Sequence, residues 1–444
     1  MITLTFISLL LHPKLLNALD SAGYTTPTPI QARTIPLVLA GGDLMASAQT
    51  GTGKTAAFAL PVLQNLLPFA DSGVSPAKHP IRALILTPTR ELAIQVETSV
   101  RCYAQYTGLR SAVVYGGVDI KTQIPQLKAG VEILVATPGR LLDHLQQKTL
   151  RLNQVSILVL DEADRMLDMG FLPDLKRIMD NLPAQRQTLM FSATFSDDIK
   201  KLADNFLHQP QVVSIAADNT TSEMITQRLY AVSMTQKEAL ILHLLKTHSG
   251  ATLIFTNTKI ATDKLYRRLV KHGLKADAIH GDKTQQERIK ALNAFKAGEL
   301  QCLVATDVAA RGLDIQELPL VINYEIPSAA EDYVHRIGRT GRAGIEGIAL
   351  SLMSAHEEEY IVAIEQLTRQ TIARVALPDL SARRSASSRT NAKPANSSNN
   401  VEQHWFHQPY QAVATTTSTP QPKPMAARNT KTPVAALLGG VKPK

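Results

Sequence analysis

The sequence has little cysteine and no long apolar run. Its 444 residues include two cysteines, Cys102 and Cys302, and two distant cysteines in so long a chain do not form the disulfide framework of a small secreted protein. No stretch reaches the roughly 18 apolar residues of a membrane-spanning helix. Aromatic residues are only 5% of the chain, but 44% of the residues are hydrophobic, which is enough for the cores of about two to three domains. We therefore expect a multidomain protein of the reducing cytoplasm that has no membrane segment.

The N-terminus also lacks the pattern of an export signal. Residues 1–11 are uncharged and rich in apolar side chains, but no basic segment precedes them and no small-residue cleavage site follows. Lys14, Asn17 and Asp20 continue the segment as an amphipathic helix. The sequence therefore predicts that the chain is not exported.

Positive charge is concentrated near the C-terminus. The net charge is +9, and residues 381–444 contain nine Lys or Arg residues against one acidic residue, Glu402, so the rest of the chain is almost neutral. Seven prolines, seven serines and seven threonines in the same segment predict a disordered basic tail. Because the segment also carries aromatic residues around Trp405 that could stack on bases, we interpret it as a tether for RNA or ribonucleoprotein rather than as a plain solvated linker.

Short apolar runs alternate with helical patterns in two parts of the chain, about 41–207 and about 252–350. Apolar strands that alternate with helices are typical of parallel sheets covered on both faces. The sequence therefore predicts an α/β fold of two tandem parallel-sheet domains. The predicted segments are an N-terminal domain at 1–208, a linker at 209–226, a C-terminal domain at 227–380 and the tail at 381–444.

Two motifs that follow apolar runs predict a nucleotide site. The run Leu44–Ala48 leads into a glycine-rich turn that ends in Lys54-Thr55, and the run Ile157–Leu160 leads into Asp161-Glu162-Ala163-Asp164. In such a pair the backbone amides of the turn wrap a polyphosphate and Lys54 reaches the β- and γ-phosphates. Thr55 and Asp161 would hold Mg²⁺, and Glu162 would activate water. Either motif alone could be an ordinary turn, but both together, at strand ends, favour a nucleotide site.

Further polar clusters follow strand after strand in both halves. Any one of them could be a helix cap or a turn, but in an open α/β sheet ligands bind at the carboxyl ends of the strands. Eight clusters on one edge therefore predict a binding edge. The second half has no phosphate loop, so we expect it to act in trans across a cleft. The clusters are Pro88–Glu91, Gly116-Gly117, Thr137–Arg140, Asp161–Asp164, Ser192–Thr194, Thr256–Thr258, His280-Gly281 and Thr306-Asp307.

With these motifs in this order, residues from about Phe6 to Leu377 resemble the DEAD-box ATP-dependent RNA helicases, most like the bacterial RhlE type. The resemblance implies two RecA-like domains with a cleft between them, ATP and Mg²⁺ as cofactors, and RNA-dependent hydrolysis of ATP to ADP and phosphate. It also implies that RNA binds between the domains and that RNA duplexes and ribonucleoproteins are locally unwound or remodelled.

The resemblance assigns roles around ATP. An adenine-reading element at about 4–32 would use Phe6, Tyr24 and Gln31, and Asp314 would meet the ribose. Arg339 and Arg342 resemble arginine fingers, which in the family neutralise charge on the γ-phosphate. The phosphate loop would be Ala48, Gln49, Thr50, Gly51, Thr52, Gly53, Lys54 and Thr55. The residues that couple hydrolysis to RNA binding would be Asp164, Ser192, Ala193, Thr194 and His335.

The resemblance also implies RNA contacts on both domains. Contacts to phosphate and sugar position a strand without reading its sequence, and the 2′-hydroxyl allows RNA to be chosen over DNA. The matching positions are Pro88, Thr89, Arg90, Gly117, Thr137, Gly139, Arg140, Thr258, Gln285, Arg288 and Thr306.

Two alternatives to a helicase stay open at the level of the sequence. One is an ATP-gated RNA clamp or annealing chaperone without productive unwinding, and the other is an ATPase that acts on DNA or on a protein partner. We expect a cytoplasmic monomer that binds structured or duplex RNA without sequence preference. We also expect contacts with ribosomal particles or RNA-processing proteins through the tail, in ribosome biogenesis.

Overall fold

The computed structural model describes residues 5–48, 51–71, 73, 75–215, 224–248, 250–310, 315, 318–341 and 346–378. Five predictions fall outside the described residues: those for Gln49, Thr50, Asp314, Arg342 and the tail at 381–444. None of the helices in the described ranges combines the length and the apolarity that crossing a membrane requires.

The first half of the described chain forms a parallel sheet. Its strands are β1 (Leu44–Ser47), β2 (Ala83–Leu86), β3 (Ser111–Val114), β4 (Ile133–Ala136), β5 (Ile157–Leu160), β6 (Gln187–Ser192) and β7 (Gln211–Ser214). They lie in the order β3-β4-β2-β5-β6-β1-β7. Successive side chains of a strand point to opposite faces, so in β6 Phe191 packs with Phe58 on one face while Met190 enters the core on the other.

The helices of this half cover both faces of the sheet. Several of them begin with proline in the first turn, where the missing N–H costs no hydrogen bond, as at Pro13, Pro29 and Pro138. The helices are α1 (Pro13–Ser21), α2 (Pro29–Leu39), α3 (Lys54–Leu66), α4 (Arg90–Tyr103), α5 (Ile124–Lys128), α6 (Pro138–Gln146), α7 (Ala163–Asp168), α8 (Leu172–Met179) and α9 (Asp197–Phe206).

The second half forms another parallel sheet with the same plan. Its strands are β8 (Ile225–Ala231), β9 (Thr252–Thr256), β10 (Ala276–Ile279), β11 (Cys302–Thr306), β12 (Leu320–Asn323), β13 (Gly347–Met353) and β14 (Ala373–Arg374). Their order is β10-β11-β9-β12-β13-β8-β14, which repeats the order of the first sheet strand for strand. Two tandem RecA-like domains, as predicted, are therefore confirmed.

The helices of the second half surround this sheet. Two of them begin at threonines whose hydroxyls accept backbone N–H groups, Thr258 from Ala261 and Thr284 from Glu287. The helices are α10 (Lys237–Thr247), α11 (Lys259–Lys271), α12 (Gln285–Lys296), α13 (Asp307–Ala310), α14 (Ala330–Ile337) and α15 (Glu358–Thr368). Single-turn 3₁₀ helices lie at Phe6–Leu9, Leu67–Phe69, Pro76–Lys78, Ile120–Thr122 and Ala355–Glu357.

The structure places β7 and the start of β8 inside 209–226, the interval that the sequence assigned to a linker. Strand β7 forms because it pairs along β1, from Leu44 with Gln211 to Ser47 with Ser214. It lies at the edge of its sheet and is mostly exposed, so it lacks the continuous apolar run of the central strands.

Candidate nucleotide and nucleic-acid sites

The phosphate loop lies between β1 and α3. Gly51 has φ 85° and Gly53 has φ 90°, a left-handed conformation that glycine adopts without steric cost. Helix α3 then begins at Lys54, which is buried and whose Nζ donates to the carbonyl oxygen of Ala48 at 2.9 Å. Thr55 follows in the first turn. Because the N-terminus of a helix presents free N–H groups and positive charge, this loop is suited to bind phosphate.

Gln31 joins the predicted adenine-reading element to the phosphate loop. Its side chain is 1% exposed, and its Nε2 donates to the carbonyl oxygen of Gly53 at 3.1 Å. Its Oε1 accepts from the backbone N–H of Thr28 at 2.9 Å. A Cβ atom at Gly53 would collide with the Gln31 amide, so the two motifs are packed against each other.

Phe6 and Tyr24 form the aromatic part of the same element. Phe6 is buried, and its ring lies edge-to-face with that of Tyr24 at a centroid distance of 6.4 Å. Tyr24 is 39% exposed, which leaves part of its ring accessible to a base.

The acidic motif stands at the end of β5. Asp161 is buried, and burial raises the pKa of its carboxyl to about 7 although nearby Lys54 opposes the shift. A bound cation would favour the ionised carboxylate, so Asp161 together with Thr55 fits a Mg²⁺ ion that keeps phosphate and water as its other ligands. Glu162 has φ 53° and ψ 53°, an unusual conformation for a residue other than glycine, and it precedes α7.

The predicted coupling residues meet directly. The N–H of Ala193 donates to Oδ2 of Asp164 at 2.9 Å, and the carbonyl oxygen of Ala193 accepts from Ser47 at 3.0 Å. The N–H of Thr194 donates to Oγ of Ser192 at 3.4 Å. The acidic motif is therefore joined to the end of β6 by a hydrogen bond.

Arg165 links the first domain to His335 of the second. Its Nη2 donates to Nδ1 of His335 at 2.8 Å, and its Nη1 lies 3.4 Å from Asp332 Oδ1. Burial, and next the charge of Arg165, lower the pKa of His335 to about 4, so the ring is neutral at pH 7. Sequence reasoning missed Arg165; its only signal was its place directly after Asp164.

Arg336 holds several residues of the second domain together beside His335. It is 1% exposed and binds Asp307 through two hydrogen bonds of 2.6 Å. It also donates to Asn257 Oδ1 at 2.8 Å and to the carbonyl oxygen of Glu325 at 2.7 Å. These bonds fix α14 and the turn that carries buried Arg339. Sequence reasoning missed Arg336, which directly follows His335, and placed Asp307 on the binding edge without giving it a role.

A cleft of about 480 Å³ lies beside these contacts and is lined from both domains. Its walls include seven of the predicted RNA contacts: Pro88, Thr89, Arg90, Thr137, Gly139, Arg140 and Arg288. Of the other four, which are all described, none belongs to this lining: Gly117, Thr258, Gln285 and Thr306.

Two arginines of the cleft are held by their surroundings. The guanidinium of Arg90 lies against Gly117, where φ is 83° and where any Cβ would collide with it. Arg140 donates to the carbonyl oxygen of Val118 at 2.8 Å and to Oε1 of Gln123 at 3.2 Å. Both positive groups are therefore fixed before an anionic ligand arrives.

Glu91 contacts two side chains of the second domain. Nε2 of Gln285 donates to Oε1 of Glu91 at 2.8 Å, and Nη2 of Arg288 lies 3.0 Å from the same oxygen. Glu91 is buried in the first turn of α4. Gln285 thus joins the domains in this structure, and the sequence placed Glu91 on the binding edge without predicting its contact with the second domain. Thr258 caps α11 and Thr306 ends β11.

Comparison with known proteins gives matches over both domains. The DEAD/DEAH box helicase family matches residues 28–202, and the helicase conserved C-terminal domain matches residues 235–344. Over 365 residues the chain is 45% identical to the ATP-dependent RNA helicase CshA of Limosilactobacillus reuteri. This alignment covers 82% of this chain and 72% of that protein.

Other matches carry different names. The chain is 45% identical over 373 residues to the ATP-dependent RNA helicase RhlB of Xanthomonas campestris pv. campestris, covering 83% of this chain and 65% of that protein. The solved structure of S. cerevisiae Dbp5 bound to RNA and ADP BeF3 superposes with a TM-score of 0.74 at 31% identity, covering 84% of this chain and 96% of that one. The likeness to the RhlE type stays a prediction.

Proposed function

Because this chain belongs to the DEAD-box family of helicases, we propose that it is an ATP-dependent RNA helicase that grips RNA between its two RecA-like domains. It locally unwinds or remodels duplexes and hydrolyses ATP to ADP and phosphate. The observation that carries the proposal is the bond from Arg165 to His335 at 2.8 Å, which joins the acidic motif of the first domain to the arginine-rich motif of the second.

The residues around the phosphate loop have separate roles in ATP hydrolysis. Lys54 and the N-terminus of α3 bind the phosphates. Glu162 activates the attacking water, and Arg339 stabilises the charge that develops on the γ-phosphate. Mg²⁺, held by Thr55 and Asp161, would neutralise phosphate charge when bound. Gln31 recognises adenine. Because its side chain is hydrogen-bonded to Gly53, binding of the base also affects the phosphate loop.

RNA is proposed to lie in the cleft that both domains line. Arg90, Arg140 and Arg288 bring positive charge to the cleft, although Glu91 balances Arg288 and Asp143 lies 3.4 Å from Arg140. The threonines and glycines of the lining allow the sugar–phosphate backbone to approach closely. Such contacts bind RNA without reading its sequence. ATP favours the closed pair of domains, which completes the cleft, and hydrolysis releases the RNA, so the two ligands are thermodynamically linked.

The remaining assignments are also proposals. They are supported by sequence alone: domains at 1–208 and 227–380, a linker within 209–226 outside β7 and the start of β8, a basic tail at 381–444 that tethers RNA or ribosomal particles, and a monomer that works in the cytoplasm in ribosome biogenesis. The similarity to CshA and RhlB, which are named as RNA helicases, supports RNA as the partner.

The test is steady-state ATP hydrolysis by the full chain without nucleic acid, with RNA, and with DNA of the same sequence, followed by strand displacement on a short RNA duplex. Glu162→Gln provides the background, because the amide cannot accept a proton from water. We expect activation by RNA and ATP-dependent displacement. Equal activation by DNA would contradict the proposed RNA contacts, and activation without displacement would favour a clamp.

A further inference from the structure

The ring of Tyr24 is held by a second tyrosine that the proposed mechanism does not use. Tyr103 is the last residue of α4 and is 4% exposed. Its hydroxyl lies 3.0 Å from the hydroxyl of Tyr24. The two rings meet edge-to-face with centroids 5.9 Å apart, so Phe6, Tyr24 and Tyr103 form a row of three aromatic rings.

The hydroxyl pair restrains Tyr24 in a way that ring packing does not. Tyr24 follows α1, and its backbone N–H donates to the carbonyl oxygen of Leu19 at 2.9 Å. This bond fixes the backbone from which the side chain starts, while the contact with Phe6 is apolar and has no preferred direction at the hydroxyl. A hydrogen bond at the far end of the ring is directional and anchors the position of that end.

The pair persists at neutral pH. Burial, and next the hydrogen bond with Tyr24, raise the pKa of Tyr103 well above its usual value. The Tyr103 phenol therefore stays protonated and can donate to or accept from its partner. A buried tyrosine hydroxyl usually has a partner, and here that partner is a half-exposed residue of the nucleotide site.

We propose that Tyr103 is a positioning residue for the adenine base, because its hydroxyl holds the ring of Tyr24 in the orientation that stacks on the base. Tyr103 thereby contributes to the preference for ATP over triphosphates that lack a base. This inference rests on the proposed role of Tyr24 in adenine binding.

The test compares two nucleotides on the full chain during RNA-activated ATP hydrolysis. ATP is the substrate, and ribose 5′-triphosphate, which has no base, is a competitive inhibitor. Tyr103→Phe keeps the ring and removes the hydroxyl, so we expect the KM for ATP to rise about 2- to 10-fold, the effect of one hydrogen bond. The kcat and the inhibition constant of ribose 5′-triphosphate should stay unchanged.

Tyr106→Phe is the matched control. Tyr106 lies three residues further on, is 47% exposed, and its hydroxyl also lies 3.0 Å from a hydroxyl, that of Ser21. This substitution removes an equal bond near α1 without touching Tyr24, and we expect no change in KM. Tyr24→Phe should reproduce Tyr103→Phe, and the double variant should be no worse than either single one, since both delete the same interaction.

Tyr24→Ala separates the inference from the function on which it rests. If Tyr24→Ala raises the KM for ATP and Tyr103→Phe does not, the positioning role is overturned while the adenine site stands. If Tyr103→Phe weakens ATP and ribose 5′-triphosphate equally, Tyr103 supports packing in general, which also overturns the proposal. If Tyr24→Ala leaves the KM unchanged, the adenine role of Tyr24 is wrong and the inference fails with it.

Discussion

Gly53 is a position in the phosphate loop that has no room for a side chain. Its φ is 90°, and a Cβ atom would collide with the Gln31 side chain. Gly53→Ala adds backbone strain of about 1–2 kcal/mol and displaces Gln31, so we expect the KM for ATP to rise at least about tenfold. The measurement is the KM of RNA-activated ATP hydrolysis.

Gly42→Ala is the matched control for Gly53→Ala. A Cβ at Gly42 meets nothing within 4 Å, and its φ lies outside the left-handed region. This variant should keep the KM of the unchanged chain. An unaltered KM in Gly53→Ala would show that the loop rearranges around the added methyl group.

His335 makes domain closure sensitive to pH. Its pKa is about 4 in the closed structure, against an ordinary value of 6.5, and the groups that face it include Arg165, Asp164, Asp332 and Arg339. Between pH 6.5 and pH 4 an open state with a free imidazole binds a proton that the closed state does not. Closure therefore weakens as the pH falls through this window.

RNA affinity in the presence of a non-hydrolysable ATP analogue measures this effect. We expect affinity to fall about tenfold between pH 7.5 and pH 5.5 through His335. His335→Gln keeps a carbonyl oxygen that accepts from Arg165 but does not titrate, so its affinity should depend less on pH. The same pH dependence in both proteins would assign the effect to other groups.

At the scale of elements, most strands follow from the sequence, but the edge strands β7 and β14 do not. The predicted apolar runs Leu44–Ala48 and Ile157–Leu160 form the strands Leu44–Ser47 and Ile157–Leu160, because strands buried on both faces are continuously apolar. Strand β7 and strand β14 are short and largely exposed. Their pairing depends on a neighbouring strand that becomes available only when the sheet forms.

Helix α4 joins the cleft to the second domain through its first turn. In Glu91→Gln the amide oxygen still accepts from Gln285, but the charge that balances Arg288 is lost. Breaking a buried ion pair is strongly destabilising, and here it destabilises the closed state. We expect the RNA concentration for half-maximal ATPase activation to rise about tenfold or more, with the activity without RNA unchanged.

Glu97→Gln is the control on the same helix. Glu97 is also buried, but it accepts from Ser111 Oγ at 2.9 Å, within the first domain. Its substitution should leave the activating RNA concentration as it is. Equal shifts in both variants would mean that Glu91 acts through the stability of α4 rather than through closure.

At the scale of the whole molecule, the sequence predicted the motifs but not the contacts between domains. Lys54, Asp161 and Glu162 are recognisable because each lies in a short motif beside an apolar run. Arg165 and Glu91 bind residues more than 160 positions away, Arg165 at His335 and Glu91 at Gln285. No local pattern marks such partners, since they meet only through the placement of two sheets.

Removing residues 381–444 tests the proposed tether. The segment carries nine basic residues against one acidic residue, and cations that neutralise phosphates release counterions when RNA binds. We expect the shortened chain to bind RNA more weakly and with a flatter dependence on salt, while ATP hydrolysis at saturating RNA is unchanged. Binding measured across a salt series checks this, and an identical slope would exclude an electrostatic role for the segment.

The two sheets have the same strand order, and the proposed ATP hydrolysis uses residues from both halves. The first half carries the polyphosphate cradle and Arg165, and the second carries the guanidinium groups and His335. A hybrid that takes one half from a relative would therefore combine the two halves of the proposed catalytic centre from different proteins. It would work only if the donor also supplied the matching partner for Arg165 or His335, so exchange between relatives is constrained by pairs of positions rather than by either half alone.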